Sequence, residues 1–269
     1  MRNSIVVAIA LLFIAQAPSY RIRVAVNPPV GQSQIYSSEG HSTETISVQG
    51  KTKTQLATDR SESTETMVRR TDSSITLRLQ IAKSERESGG RRQAAPTQGK
   101  TFTVTIRGDK IGILSSDGEP LPDSIRAAMT HQMQTLMHVE ASNVCIPTEP
   151  LAVGSTWNIP AESAGDCLGG FGRADSSQST GTLSAVDKST ATIDYRFAFR
   201  MKNLGPLEFD APVPVDGAMK LRVSLSNPLD WTTATTWHLK GTAHPGGPSA
   251  PSLFTEVTLN ETARSTPGR

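Results

Sequence analysis

The sequence predicts a mainly β protein: a large curved antiparallel sheet or half-barrel with one amphipathic helix packed on it. Three observations carry this. Serine (29) and threonine (30) together make 59 of the 269 residues while aromatics are only 5%, a composition suited to strands with one polar face. Apolar and polar residues alternate with period two through most of the chain, and a single block, residues 124–137, switches to helical spacing.

The elements follow in order. Arg2 precedes the apolar run IVVAIALLFIA at 5–15, and the small residues around Ala17 and Ser19 follow it. This is the order of a secretory signal, so residues 1–19 are expected to be removed after Ser19. The run is shorter than the roughly 20 residues that a permanent membrane helix needs. What remains, 20–269, reads as one β-rich domain divisible into two halves, 20–120 and 148–265, bridged by a helix at 124–137. No integral membrane segment is expected after signal cleavage.

In the first half, Thr43, Thr45 and Ser47 interleave with Glu44, Ile46 and Val48. Ile75, Leu77, Leu79 and Ile81 alternate with Thr76, Arg78, Gln80 and Ala82, which predicts a strand with one wet face. Residues 85–99 (ERESGGRRQAAPTQG) carry charge, glycine and proline without periodicity and read as a long, mobile hairpin loop. Residues 101–107 and 110–114 read as two strands joined by a tight turn at Gly108-Asp109.

Asp123 is placed to cap a helix over 124–137, in which Ile125, Met129, Met133, Leu136 and Met137 share one stripe. It is the only helix that the spacing predicts after the signal. Strand patterns resume at 151–159 and recur at 179–186, 191–201, 217–225, 232–241 and 253–263. A glycine- and aspartate-rich loop is expected around the second cysteine.

Function is bounded more by exclusion than by motif. The formal net charge is +2, so no whole-chain bias toward polyanions exists, and basic residues are too scattered and aromatics too few for a nucleic-acid platform. Charge is nevertheless partitioned: residues 51–110 carry 13 basic and 7 acidic side chains, whereas 111–269 carry 11 basic and 16 acidic. This fits solvated strand faces, a complementary contact between the parts or an anionic partner. No nucleophile elbow, metal box or paired-aspartate motif occurs; His131 and His138 are seven positions apart, about 10 Å along a helix axis, too far to share an ion. No catalytic residue, metal or cofactor is assigned, and the chain is read as a non-enzyme. The lone cysteines Cys145 and Cys167 are expected to pair in an oxidising compartment.

The run PLAVGSTW at 150–157, after Ile146-Pro147, resembles a loose group of exported bacterial proteins of unknown function, often lipoproteins. In that group a β-meander, a hairpin like TIRGDKI at 105–111 and an amphipathic helix precede a strand opening of the form P-x-x-V-G-x-x-W. The order is also similar to lipoprotein-carrier folds, in which a curved sheet holds an acyl chain under helices. The resemblance implies an exported, periplasmic or secreted β protein and transfers no site residue; the cysteine that carries the lipid in lipoproteins is missing after the apolar run.

The leading reading of the stripe is a ligand pocket in the concave sheet, and the alternative is a filled core. Ile125, Met129, Met133, Leu136 and Met137, with Trp157 fixing its strand against the helix, line a pocket for an apolar or amphipathic small molecule, or they fill an ordinary core in a protein whose partner is another envelope component. Unbranched methionines suit either role.

Overall fold

The computed structural model describes residues 18–25, 27–108, 110–116, 118, 121–123, 125–126, 129, 145–169, 174–204, 207–244 and 251–268. The signal reading falls on residues 1–17, outside the described residues, apart from Pro18 and Ser19. Met133, Leu136, Met137, His131 and His138 also lie outside them.

The strands are β1 (Ser19–Tyr20), β2 (Ser33–Val48), β3 (Lys51–Thr71), β4 (Ser74–Ser88), β5 (Arg91–Ala94), β6 (Thr101–Arg107), β7 (Lys110–Ser115), β8 (Leu151–Ala152), β9 (Thr156–Asn158), β10 (Ser176–Ser177), β11 (Thr180–Asp187), β12 (Thr190–Leu204), β13 (Leu207–Ser224), β14 (Trp231–Ala243) and β15 (Leu253–Pro267); a helix, α1, spans Ala161–Gly169. β1 and β8 pair separately. The others form one sheet in the order β7-β6-β4-β3-β2-β15-β14-β13-β12-β11-β9, with β5 added on β4 and β10 on β12. Every pairing is antiparallel, and among the described residues the sheet is not closed into a barrel: β7 and β9 end the order without meeting. The chain's last strand pairs with β2 from Leu253↔Val48 to Pro267↔Gln34, joining early and late strands edge to edge.

Alternation gives the sheet a packed face and a wet face. The packed face carries two hydrophobic clusters. One gathers Met67 of β3, Leu77, Leu79 and Ile81 of β4, Phe102, Val104 and Ile106 of β6 and Ile113 of β7 beneath Leu121 and Met129. The other gathers Leu183, Ile193, Tyr195, Phe197, Phe199, Val215, Leu221 and Leu239 of β11–β14 against Ala164, Cys167 and Leu168 of α1. The disulfide Cys145–Cys167, with Cα atoms 5.7 Å apart, ties the segment before β8 to that helix.

Two expectations are corrected. Residues 85–99 are not a mobile loop along their length: Glu85–Ser88 continue β4, Gly89 and Gly90 turn with φ of 58° and 75°, and Arg91–Ala94 return as β5 in register from Ser88↔Arg91 to Glu85↔Ala94. Charges that break the hydrophobic period are cross-strand partners here, with Arg92 Nη2 3.3 Å from Glu87 Oε2; consecutive glycines supply the two left-handed positions that a two-residue hairpin turn needs.

The second correction is α1, which occupies part of the expected glycine- and aspartate-rich loop. Gly165 and Asp166 make the segment a weak helix former. Pro160 O accepts bonds from Ser163 N and Ala164 N at the first turn, and Ala164, Cys167 and Leu168 are all under 9% exposed, so burial of one stripe and the disulfide hold it instead of propensity. Of the block expected to be helical, the described residues Ile125, Arg126 and Met129 are helical, as is Asp123.

Candidate anion-binding face

Of the residues expected to line a ligand site, Met133, Leu136 and Met137 lie outside the described residues, Ile125 and Met129 share one cluster, and Trp157 stands at the other. Met129 is 1% exposed in the first cluster, and Ile125 packs half-buried against it. Trp157 stands on β9 beside the second cluster. Its Nε1 donates to Cys145 O at 2.8 Å, its ring meets Tyr195 edge-on at 6.2 Å, and it lies so close over Gly181 that a Cβ there would fall 2.4 Å from the indole. Trp157 therefore pins its strand to the disulfide segment, not to Ile125 or Met129 as expected. β9 ends the sheet on the side away from β6 and β7, so strand order separates them.

Between the clusters the packed face is polar. Gln34 Nε2 donates to Glu65 Oε2 at 3.0 Å, and burial raises the Glu65 carboxyl to about 7. Burial, reinforced by the Glu261 charge, pushes the Tyr36 phenol up to about 12. Burial also raises Glu44, but hydrogen bonds from Gln55 and Arg86 outweigh it and leave that carboxyl below its usual range. These groups are internally partnered and make a polar seam.

The wet face holds a concavity of about 550 Å³ across β4, β3, β2, β15, β14 and β13. Its lining follows from register. Glu85, Arg60, Glu39, Thr262, Ala234, Lys220 and Asp194 form one cross-strand row. Two residues along each strand, on the same side, Lys83, Glu62, Ser37, Arg264, Thr232 and Arg222 form the next.

The rows differ in charge balance. In the first, Arg60 lies 3.2 Å from Glu39 and 3.7 Å from Glu85, and Lys220 Nζ lies 3.6 Å from Asp194 Oδ1. In the second, Lys83 reaches Glu85 at 3.2 Å, whereas Arg264 and Arg222, both exposed, have no ion pair among the described residues. They flank Thr232, one strand to each side, so their Cα atoms stand about 10 Å apart, a gap their side chains span. Two arginines flanking a hydroxyl can bind phosphate, sulfate or carboxylate through paired N–H donors. An anion there also relieves their mutual repulsion.

Sequence reading missed these arginines because nothing local marks them. Each is one polar residue in an alternating strand, and they become neighbours only through the register of β13, β14 and β15. Among the described residues no group of three or more His, Cys, Asp or Glu side chains is placed to hold a metal ion, and no helix is long and apolar enough to cross a membrane.

No family model matches the sequence, and no curated protein does. Among solved structures, the outer membrane protein OprG from Pseudomonas aeruginosa aligns over 90% of this chain and 98% of its own, at 6% identity and a TM-score of 0.21. Similarity at that level carries no argument about fold or function.

Proposed function

We propose that the chain is an exported, non-enzymatic binding protein of the bacterial envelope that holds an anionic group of its partner on the wet face, between Arg222 and Arg264. The observation that carries this is the pair of arginines flanking Thr232, without an ion pair among the described residues, in a concavity whose other row is internally ion-paired. Export is supported by the signal-like N-terminus, by pairing of the only two cysteines and by the resemblance of the PLAVGSTW run to exported bacterial proteins. The interaction-protein reading is preferred to that of a carrier for an apolar or amphipathic small molecule. Support comes from Met129, which is used in packing against Leu77, Phe102 and their neighbours.

The test is titration with one oligosaccharide in phosphorylated and unphosphorylated forms. Binding is expected for the phosphorylated form only, weakening as salt rises. Arg222→Ala with Arg264→Ala should lower affinity by about tenfold or more, since a charge-assisted hydrogen bond contributes about 1.5–3 kcal/mol. Equal binding of both forms, or binding unchanged in the double variant, would overturn the proposal. Uptake of a fluorescent fatty-acid probe, altered by Met129→Ala without loss of stability, would restore the carrier reading.

A further inference from the structure

The hairpin joining β2 and β3 outruns its neighbour on one side. β4 pairs with β3 only from Ala57↔Ser88 onward, so the preceding residues, Lys51 to Leu56, have β2 on one edge and no described strand on the other. The turn itself, Gln49-Gly50 with φ of 50° and 75°, is a tight two-residue reversal. The tip is stiffened by hydroxyl pairs, Thr45 with Thr54 at 3.0 Å and Ser47 with Thr52 at 2.6 Å. The tip is therefore stiff and uncovered on its β3 edge, while β2 stays paired with β15 as far as Leu253↔Val48.

Its composition is unlike the rest of the wet sheet. Leu56 is 69% exposed, Val48 39% and Ile46 37%. Leu56 points to the wet side and the other two to the opposite side, so apolar surface wraps the tip. Around it stand Lys51, Lys53 and Arg91, all exposed and without an ion-pair partner among the described residues. Residues 45–56 contain no acidic side chain, and the nearest carboxylates are engaged: Glu44 by Gln55 and Arg86, Glu87 by Arg92.

Lysine on an uncovered edge deters strand pairing between copies. That accounts for Lys51 and Lys53, but it leaves three exposed aliphatic side chains at one end unexplained. Scattered surface apolar residues need no account; apolar residues grouped within a cationic rim do. A protein partner fits one face or a groove, whereas these side chains point to both faces at this end of the sheet. An interface that receives this end of the sheet on both faces accepts all of them at once, and the headgroup region of an anionic bilayer does so, taking the aliphatic side chains below the cations. We propose that the β2–β3 tip is a peripheral contact site for an anionic lipid surface. This goes beyond the anion-binding reading of the wet face and uses none of its residues.

The experiment is co-sedimentation of the purified exported protein with vesicles of phosphatidylglycerol and phosphatidylcholine in equal parts, against vesicles of phosphatidylcholine alone. Two variants accompany it, Val48→Ser with Leu56→Ser and Lys51→Glu with Lys53→Glu. All four sites are exposed, and unchanged melting curves verify the fold. Binding to the anionic vesicles is expected, with release by salt and a loss of about tenfold or more in each variant, a cation near an anionic surface contributing about 1 kcal/mol. Absence of binding overturns the proposal. So does binding that both variants retain, which would assign contact to another segment. So does wild-type self-association that the variants abolish, which would make the tip's occupant a second copy.

Discussion

The two clusters on the packed face are covered in different ways. That under β11–β14 is aromatic, with Tyr195 and Phe197 stacked at 5.7 Å, and its cover is tied down covalently because Cys167 lies in α1 and bonds to Cys145. That under β3, β4, β6 and β7 is mostly aliphatic, with Phe102 at its centre, and the described residues covering it, Leu121, Ile125 and Met129, are held by burial and by the hydrogen bond from Arg126 Nη2 to Leu121 O, with no disulfide. The sheet is continuous across both, since β2 and β15 pair along their length. The lesson is that one antiparallel sheet can support two cores of different construction, with a polar seam around Glu65 and Gln34 between them.

The largest expected effects come from emptying each cluster. Phe102 is 0% exposed and Phe197 2%; replacing either by alanine should cost about 3–5 kcal/mol. Because β2–β15 pairing couples the halves, calorimetry should show one transition lowered by both variants. Two transitions, each shifted by one variant, would break the comparison into two independent units.

Next is the covalent asymmetry. Cys145→Ser with Cys167→Ser should cost about 3 kcal/mol in the chain-entropy account of a loop of this size, measured by urea unfolding. Loss of hydrogen-exchange protection should concentrate in α1 and β9 and spare β6 and β7. Uniform loss would mean the disulfide serves both clusters.

The seam gives a pH dependence. Burial raises Glu65 from an ordinary 4.5 to about 7, so the folded state holds its proton more tightly than the unfolded chain. The resulting stability is fully present below pH 4.5 and is lost as pH rises toward 7, at about 1.4 kcal/mol per pH unit. Glu65→Gln should flatten that slope and be the more stable protein above pH 7. A wild-type curve that is level from pH 4.5 to 7 would show the seam to be wetter than its burial implies.

The smallest effect separates two glycines. Gly181 lies under Trp157, so Gly181→Ala forces the indole away and should cost about 1–3 kcal/mol; at Gly112 a Cβ meets only Thr105 O at 3.8 Å, and Gly112→Ala should be neutral or slightly stabilising, by about 0.4–1 kcal/mol. Equal melting temperatures for the two variants would show that the contact of Trp157 is loose.

The sequence by itself determined the β class, the positions of most strands, the pairing of its cysteines and the inward side of β4, where Leu77, Leu79 and Ile81 are buried. Those features rest on local alternation, or on there being one partner available, and need no knowledge of distant residues. Tertiary structure decided the rest. It extended the expected hairpin loop into paired strands over Glu85–Ser88 and Arg91–Ala94, because charges there are satisfied across strands, and it held α1 helical by burial and a disulfide against poor propensity. It parted Trp157 from Met129 by strand order. The arginines of the wet face, 42 positions apart in sequence, became neighbours only when β13, β14 and β15 aligned Arg222, Thr232 and Arg264 in one row, because side-chain proximity across a sheet is set by register, which no single strand encodes.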